Sequence, residues 1–180
     1  DRQWSRGLGD VYKRQLKQSL KGLNCMEHRG GCGGDSDSGD GAGILCSIPW
    51  GYIDSKMNLE NIKDLNRGLG MVFMPNKKEK IEECKSICEK EAEKLRISKT
   101  SWRTVPVNNE ILGPLAKANA PFISQWILNI DKKDNQDIER LLFQLRKRIE
   151  KKIRETFKND VGDCEFYFAS LSSQTVVYKG

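Results

Sequence analysis

Residues 20–50 read LKGLNCMEHRGGCGGDSDSGDGAGILCSIPW and divide into three parts of different composition. Apolar residues recur at helical spacing up to the start of the glycine-rich part and predict an amphipathic helix over residues 16–27. Residues 28–43 are dense in glycine, aspartate and serine, which is typical of an irregular loop. Residues 44–48 then predict a short strand that Pro49 ends. The apolar positions of the helix are Leu16, Leu20, Leu23 and Met26.

Apolar periodicity predicts further helices and strands along the chain. Residues 122–130, FISQWILNI, are apolar on both faces, as in a strand buried inside a layered structure. Residues 137–157 predict a long helix with acids at its start and bases towards its end. These elements together predict a mixed α and β domain with helices layered on sheets. The other predicted elements are a short helix at 59–66, strands at 70–74 and 102–107, a helix at 77–95, a helical turn at 113–119, and a hairpin of strands 165–171 and 175–179.

Charge and hydropathy argue against two classes of partner. The formal net charge is +6, but residues 1–15 alone hold four basic residues against two acidic ones. The remaining excess is spread along mixed Lys/Glu helices, a pattern that favours solvated helix faces. We therefore expect no nucleic-acid partner. No apolar run approaches the roughly 20 residues that cross a bilayer, so we expect no membrane partner either.

The six cysteines do not have the spacing of a metal site. They form no CxxC pair and are accompanied by a single histidine, so we predict no metal ligands and reduced thiols. Cys84 and Cys88 lie four residues apart on the apolar stripe of a predicted helix, where a free cysteine packs as a small hydrophobe. The six are Cys25, Cys32, Cys46, Cys84, Cys88 and Cys164.

The glycine- and acid-rich loop does not match the two ion- or phosphate-binding loops of similar composition. Asp35 and Asp37 could begin a calcium loop, but Gly39 stands at the third ligand position and Cys46 replaces the bidentate glutamate. A dinucleotide-binding loop follows a strand and opens a helix, whereas here a helix precedes the loop and a strand follows it. No lysine of the kind found in phosphate-binding loops follows the glycines.

Arg29 leaves two interpretations open. Its guanidinium could hold a ligand carboxylate bidentately, with the glycines behind it allowing backbone to approach closely. Alternatively, Arg29 pairs with Asp35, Asp37 or Asp40 and only braces the loop.

Several segments, in order, resemble the class II glutamine amidotransferase domain of glutamate synthases. Residues 20–50 resemble the early part of that domain. The resemblance covers the chain from about residue 16 onward, and a match of several segments in the family's order is more specific than any single motif. The further segments are GMVFMP (70–75), WRTVPVNNEILGPLAKANAPFISQWIL (102–128), IERLLFQLRKRIE (138–150) and FYFASLSSQTVVYKG (166–180).

The resemblance implies an α+β fold of the N-terminal-nucleophile hydrolase kind, an αββα sandwich that is incomplete in this chain. It implies hydrolysis of glutamine, the substrate, to glutamate and ammonia, which passes to the remaining synthase domains of the same polypeptide. A flavin (FMN) and an iron–sulfur cluster are implied for those other domains, with electrons from a donor subunit or ferredoxin. The implied location is cytoplasmic, or a plastid if the source is a photosynthetic eukaryote.

The same resemblance implies which residues line the active site. His28, Arg29, Gly30 and Gly31 match the family's HRG segment, whose arginine lies close to the nucleophile. Asp40 and Gly41 begin a DGAG match to the active-site floor. The family's nucleophilic cysteine lies upstream in a CGxGF-like segment, and its oxyanion-binding Asn-Gly pair lies downstream, so no residue of this chain is assigned a catalytic role. We therefore expect the chain to be inactive alone. The alternative is a non-catalytic interaction or scaffold module that retains the amidotransferase fold.

The first fifteen residues have no counterpart in the resembling segments. Residues 5–15, SRGLGDVYKRQ, match the translation of the end of a transposon-type sequencing adapter. We therefore predict two regions: a non-native leader at 1–15, and a partial class II glutamine amidotransferase domain at 16–180, truncated at both ends.

Overall fold

The structure is a computed structural model that describes residues 2–26, 41–57, 66–97, 99–130, 135–158 and 165–179. The chain divides into two compact units. The first comprises Asp1–Ile44, Asn109–Ala118 and Lys179–Gly180, and the second comprises Leu45–Asn108 and Asn119–Tyr178. The elements in chain order are α1 (Arg2–Cys25), β1 (Gly43–Ser47), α2 (Trp50–Met57), β2 (Asn66–Met74), α3 (Lys78–Lys94), β3 (Lys99–Thr104), a 3₁₀ turn (Asn109–Ile111), α4 (Pro114–Ala118), β4 (Phe122–Ile130), α5 (Asn135–Thr156), β5 (Tyr167–Ser172) and β6 (Thr175–Lys179).

A four-stranded antiparallel sheet with the order β3-β4-β2-β5 forms the centre of the second unit. The two central strands, β2 and β4, pair over nine residues each, from Asn66 opposite Ile130 to Met74 opposite Phe122. On the other side of β2, the pairing with β5 shifts register between Met71 and Val72. The long β2–β4 pair therefore sets the positions of both outer strands.

Both faces of this sheet are buried, because side chains of β2 and β4 alternate between two apolar clusters. Val72, Trp126 and Leu128 lie in a cluster with the apolar stripes of α3 and α5. Met71 and Ile127 point the other way, into a cluster with α2 and with β6 of a second, two-stranded sheet of β1 and β6. Strand β4 is therefore buried on both faces, which confirms the interpretation of residues 122–130. Strands of this kind consist of nearly continuous apolar residues.

Two glycines of β2 allow the helices and neighbouring side chains to approach the sheet closely. A Cβ at Gly68 would lie 3.0 Å from both terminal methyl groups of Leu142 on α5. A Cβ at Gly70 would lie 3.3 Å from Leu171 and 3.4 Å from Phe168. Leu142 is fully buried, so its methyl groups have little space to retreat into.

We therefore expect Gly68→Ala to destabilise the chain by about 1–3 kcal/mol through overpacking against Leu142. Chemical denaturation followed by circular dichroism measures the change. The matched control is Gly51→Ala on α2, where an added Cβ meets no atom within 4 Å. There the lower backbone entropy of alanine should stabilise by about 0.5–1 kcal/mol. Equal effects of the two substitutions would contradict the close approach at Gly68.

An ion-pair network joins α3 to α5 beside the apolar cluster. The Glu91 carboxylate on α3 accepts a hydrogen bond from Nζ of Lys94 and, at 2.9 Å, one from Nε of Arg148 on α5. Glu91 is only 5% exposed. Burial by itself raises the pKa of Glu91, but the hydrogen bonds and positive charges of Lys94 and Arg148 outweigh it and lower the pKa below its ordinary value.

Because the folded state lowers the pKa of Glu91, this carboxylate contributes stability above its unfolded pKa, and the contribution is lost as the pH falls through its folded pKa. Glu91→Gln should therefore cost about 1–2 kcal/mol at pH 7, and the difference from the parent chain should shrink below about pH 4. Urea denaturation at a series of pH values measures both. Glu155→Gln is the control, since Glu155 contacts Lys151 at 3.9 Å on the exposed surface. A pH-independent cost at Glu91 would rule out the charge network.

The predicted hairpin of the last two strands is wrong: β5 pairs with β2 in the four-stranded sheet, whereas β6 pairs with β1. Glu139 on α5 holds the chain at the point where it changes sheet. Its Oε1 accepts hydrogen bonds from the backbone N–H of Ser173 at 2.7 Å and from the hydroxyls of Ser172 and Ser173. The Ser172 hydroxyl in turn accepts the backbone N–H of Gln174. These bonds satisfy the backbone N–H groups of Ser173 and Gln174 without pairing between β5 and β6. Strand β6 can therefore pair with β1.

The other predicted elements, apart from the short helix at 59–66, are confirmed, most of them with shifted ends. The strand at 122–130 matches β4, and the predicted helices at 77–95 and 137–157 correspond to α3 and α5. The helix predicted at 16–27 begins earlier, since α1 runs from Arg2. The short helix predicted at 59–66 lies mostly outside the described residues, and its last residue, Asn66, begins β2. Helix α2 was not predicted. Among the described residues, no helix is long and apolar enough to cross a membrane.

Candidate functional site

The residues predicted to line a pocket fall mainly outside the part of the chain that the structure describes. His28, Arg29, Gly30, Gly31 and Asp40 all lie in the range 27–40, which is not described. Gly41 is described, and its backbone adopts φ 77°, a left-handed conformation that favours glycine. Gly41 stands two residues before β1 (Gly43–Ser47), which corresponds to the strand predicted at 44–48.

Burial makes Cys46 and Cys88 poorly suited to act as a nucleophile. Burial raises the pKa of the Cys46 thiol. The pKa of Cys88 is raised well above its ordinary value, mainly by burial and to a smaller extent by the charge of the neighbouring Cys84. Cys84 is fully buried with Cys88 in the apolar cluster beneath α3, which agrees with the predicted packing role. Attack requires the thiolate, so a raised pKa disfavours it. Cys25 is exposed on α1, and Cys32 and Cys164 lie outside the described residues.

We accordingly expect alkylation at pH 7.5 to modify Cys25 at least about tenfold faster than Cys88, because access and thiolate fraction control the rate. Iodoacetamide labelling over time with peptide mass spectrometry measures each site separately. Labelling in urea provides the control, since unfolding should make the two rates similar. Fast labelling of Cys88 in the folded chain would contradict its burial.

Gln125 lies at the centre of a polar group on the sheet face that looks towards the second sheet. Its side chain is fully buried in the middle of β4. Its Oε1 accepts a hydrogen bond of 2.7 Å from Nη1 of Arg103, which stands directly opposite on β3. Its Nε2 donates at 3.4 Å to the hydroxyl of Tyr178 on β6. One buried amide therefore connects the four-stranded sheet to the second sheet.

The surroundings keep the Tyr178 hydroxyl protonated at neutral pH. Burial raises the pKa of Tyr178 above its ordinary value, the hydrogen bond from Gln125 and the charge of Arg103 oppose the rise in part, and Cys46 and Tyr52 add to it. Because Gln125 already donates to the Tyr178 oxygen, the Tyr178 hydroxyl hydrogen remains available as a donor. The Arg103 guanidinium also lies over the ring of Tyr52, at 5.6 Å from its centroid.

The sequence contains one signal of this polar group but does not reveal its members. Gln125 interrupts the apolar run FISQWILNI, and a buried polar residue in such a strand needs a partner. The identity of the partners depends on strand register and on the pairing of β6 with β1, which no pattern in the sequence indicates. Among the described residues there is no group of three or more histidines, cysteines or carboxylates placed to hold a metal ion.

Comparison with known proteins decides the family. The family model of class-II glutamine amidotransferases matches residues 8–180 of the chain. The chain belongs to this family. The mixed helices and antiparallel strands described above agree with the α+β, N-terminal-nucleophile hydrolase fold expected of a class-II glutamine amidotransferase.

Curated relatives of this amidotransferase chain are glutamate synthases. It is 42% identical over 169 residues to the chloroplastic ferredoxin-dependent glutamate synthase of Oryza sativa subsp. japonica. It is 38% identical over 169 residues to ferredoxin-dependent glutamate synthase 2 of Synechocystis and 40% identical over 172 residues to the large chain of the NADPH glutamate synthase of Bacillus subtilis. Each match covers 92% of this chain. The chain spans about a tenth of the length of the relatives, 10% for the rice protein and 11% for the Bacillus protein.

Proposed function

We propose that this chain is part of the glutamine-hydrolysing domain of a glutamate synthase, supplying ammonia for glutamate biosynthesis. One observation carries the proposal: the chain matches ferredoxin-dependent and NADPH-dependent glutamate synthases almost equally, at 42% and 40% identity over 92% of its length. Enzymes with different electron donors share the step that precedes reduction, which is release of ammonia from glutamine. A region common to both kinds fits that shared step.

The proposed pocket contains His28, Arg29, Gly30, Gly31, Asp40 and Gly41. Its support is the HRG and DGAG match together with the left-handed Gly41 ahead of β1. We place the nucleophilic cysteine and the oxyanion donors in segments upstream and downstream of these residues, in keeping with the raised pKa values of Cys46 and Cys88. Arg29 would then lie beside the nucleophile, where its guanidinium can hold a carboxylate of glutamine.

The remaining proposals concern the parent enzyme. We place FMN and the iron–sulfur cluster in its other domains, to which the ammonia passes, and assign no residue of this chain to either group. Several relatives are named as ferredoxin-dependent, which supports ferredoxin as one donor, and the Bacillus relative supports NADPH as another. The rice and spinach relatives are chloroplastic, so a plastid location is proposed for a photosynthetic source and a cytoplasmic one otherwise.

The proposed extent of the native domain is residues 16–180, with residues 1–15 as a non-native leader. Its support is the adapter-like sequence of residues 5–15. Two observations oppose a boundary at residue 16. The family match already begins at residue 8, and α1 runs as one helix from Arg2 through this stretch. Resequencing the source locus tests the proposal, which fails if the codons for residues 5–15 belong to the gene.

A segment exchange tests the proposed function. Residues 16–180 would replace the matching segment of the Bacillus subtilis large chain, and glutamine-dependent and ammonia-dependent glutamate formation would be measured separately. We expect the exchanged enzyme to use glutamine, because the host supplies the nucleophile and oxyanion donors. The 180-residue chain alone should release no ammonia from glutamine.

The control is the same exchange in a host that lacks its nucleophilic cysteine, which should keep ammonia-dependent synthesis and lose use of glutamine. If the exchanged enzyme retains ammonia-dependent synthesis but cannot use glutamine, the segment is a scaffold and not a working part of the glutaminase. Ammonia release by the isolated chain would show that its nucleophile lies within these 180 residues.

A further inference from the structure

Two arginines project from one face of the four-stranded sheet towards helix α2. Arg67 on β2 and Arg103 on β3 lie opposite Asn129 and Gln125 of β4. Asn129 and Gln125 are four residues apart, so they and their two partners share one face of the sheet. Each guanidinium lies over an aromatic ring of α2, Arg67 over Trp50 at 4.0 Å and Arg103 over Tyr52 at 5.6 Å. The two positions are therefore alike in strand setting, in neighbouring helix and in aromatic contact.

The two arginines differ in their charge partner. The guanidinium of Arg67 binds the Asp54 carboxylate bidentately, with Nη1 at 2.5 Å from Oδ1 and Nη2 at 3.1 Å from Oδ2. Such fork-to-carboxylate pairs satisfy the guanidinium in both charge and geometry. At Arg67 the chain thus provides its own carboxylate.

Arg103 is held in place but not neutralised by the described part of the chain. Its one hydrogen-bonded side-chain partner there is the neutral amide oxygen of Gln125, at 2.7 Å. Gln125 is fully buried and is itself held by Tyr178, so it fixes the guanidinium rather than following it. Within residues 41–57, 66–97, 99–130, 135–158 and 165–179, no carboxylate forms an ion pair with Arg103. Four of the five guanidinium N–H donors are left after the bond to Gln125.

We propose that Arg103, fixed by Gln125 and Tyr52 and accompanied by the Tyr178 hydroxyl, is a binding site for the carboxylate of a small organic ligand. The ligand carboxylate takes the place at Arg103 that Asp54 takes at Arg67. The inference rests on the geometry around Arg103 and does not depend on the proposed glutaminase function.

The chemistry of the site favours a carboxylate over a phosphate. A planar guanidinium fork matches the two coplanar oxygens of a carboxylate. A single fixed positive charge balances one carboxylate, whereas a phosphate dianion usually meets several cations or backbone N–H groups. The Tyr178 hydroxyl stays protonated and adds a neutral donor, so the site gains a hydrogen bond without gaining charge.

Titration of the ¹⁵N-labelled 180-residue chain with L-glutamate tests the proposal by NMR. The readouts are the Arg103 Nε–H signal and the Gln125 side-chain amide signals, which report on the site itself. Sodium acetate and inorganic phosphate are titrated in parallel at matched ionic strength. We expect saturable shifts of both groups of signals with L-glutamate and with acetate, and weaker or no saturable shifts with phosphate.

Three variants separate the site from general charge effects. Arg103→Lys keeps the charge but loses the fork, and should weaken binding about tenfold. Tyr178→Phe removes one neutral donor and should weaken it about threefold. Lys99→Met removes one exposed charge from the same strand, four residues from Arg103, and should leave binding unchanged. The remaining backbone spectrum shows whether each variant is folded.

The proposal is overturned if the Arg103 and Gln125 signals do not saturate with L-glutamate. Saturation that is as tight with phosphate would identify a general anion site and would also overturn it. If the Arg103→Lys variant bound L-glutamate as tightly as the parent chain, charge alone would attract the ligand, and the proposal would again be overturned. None of these outcomes bears on the segment exchange that tests glutamine use, so the two proposals stand or fall separately.

Discussion

The close packing of β2 between two apolar clusters is the constraint on which the rest of the second unit depends. A strand buried on both faces can expose no polar side chain, and each side chain must fit a neighbour on its own face. Gly68 and Gly70 meet this requirement on the helical face, where Leu142, Leu171 and Phe168 occupy the space that a Cβ would need. On the opposite face, Leu69, Met71 and Phe73 fill the gap beneath α2 and the second sheet. The β2–β4 pair then aligns β3 and β5 through backbone hydrogen bonds.

Three buried or partly buried polar side chains in this packing are fixed by hydrogen-bond partners. Glu139 binds the turn at which the chain passes from one sheet to the other, and Glu91 joins the two helices that cover the sheet. Gln125 lies fully buried between sheets and is bonded on both sides of its amide. A buried amide with both ends satisfied orients its neighbours more strongly than an apolar residue of the same size could. For this reason the polar contacts determine local geometry, while apolar burial supplies most of the stability.

Two kinds of observation agree on the family of this chain. Residue motifs in order along the chain resemble one amidotransferase family, and the family comparison identifies the same family over residues 8–180. The fold adds that the segment after Gly41 enters strand β1, as the strand predicted at 44–48 requires. The assignment of every individual site residue, Gly41 included, depends on the motif match, and all of them except Gly41 belong to the range 27–40.

The sequence by itself determined the elements with strong periodicity, the burial of 122–130, the packing role of Cys84 and Cys88, and the family. These follow from local spacing and from motif order, which can be seen in the chain without knowing its partners. Only the tertiary structure decided that β5 and β6 belong to different sheets and that Gln125 connects the two sheets. It also decided that Arg67 binds a carboxylate whereas Arg103 binds an amide. Each of these depends on contacts between residues distant in sequence. Neighbouring strands can pair with each other or with others, and the bonds of Glu139 and the packing of Val176 in the second cluster decide between them.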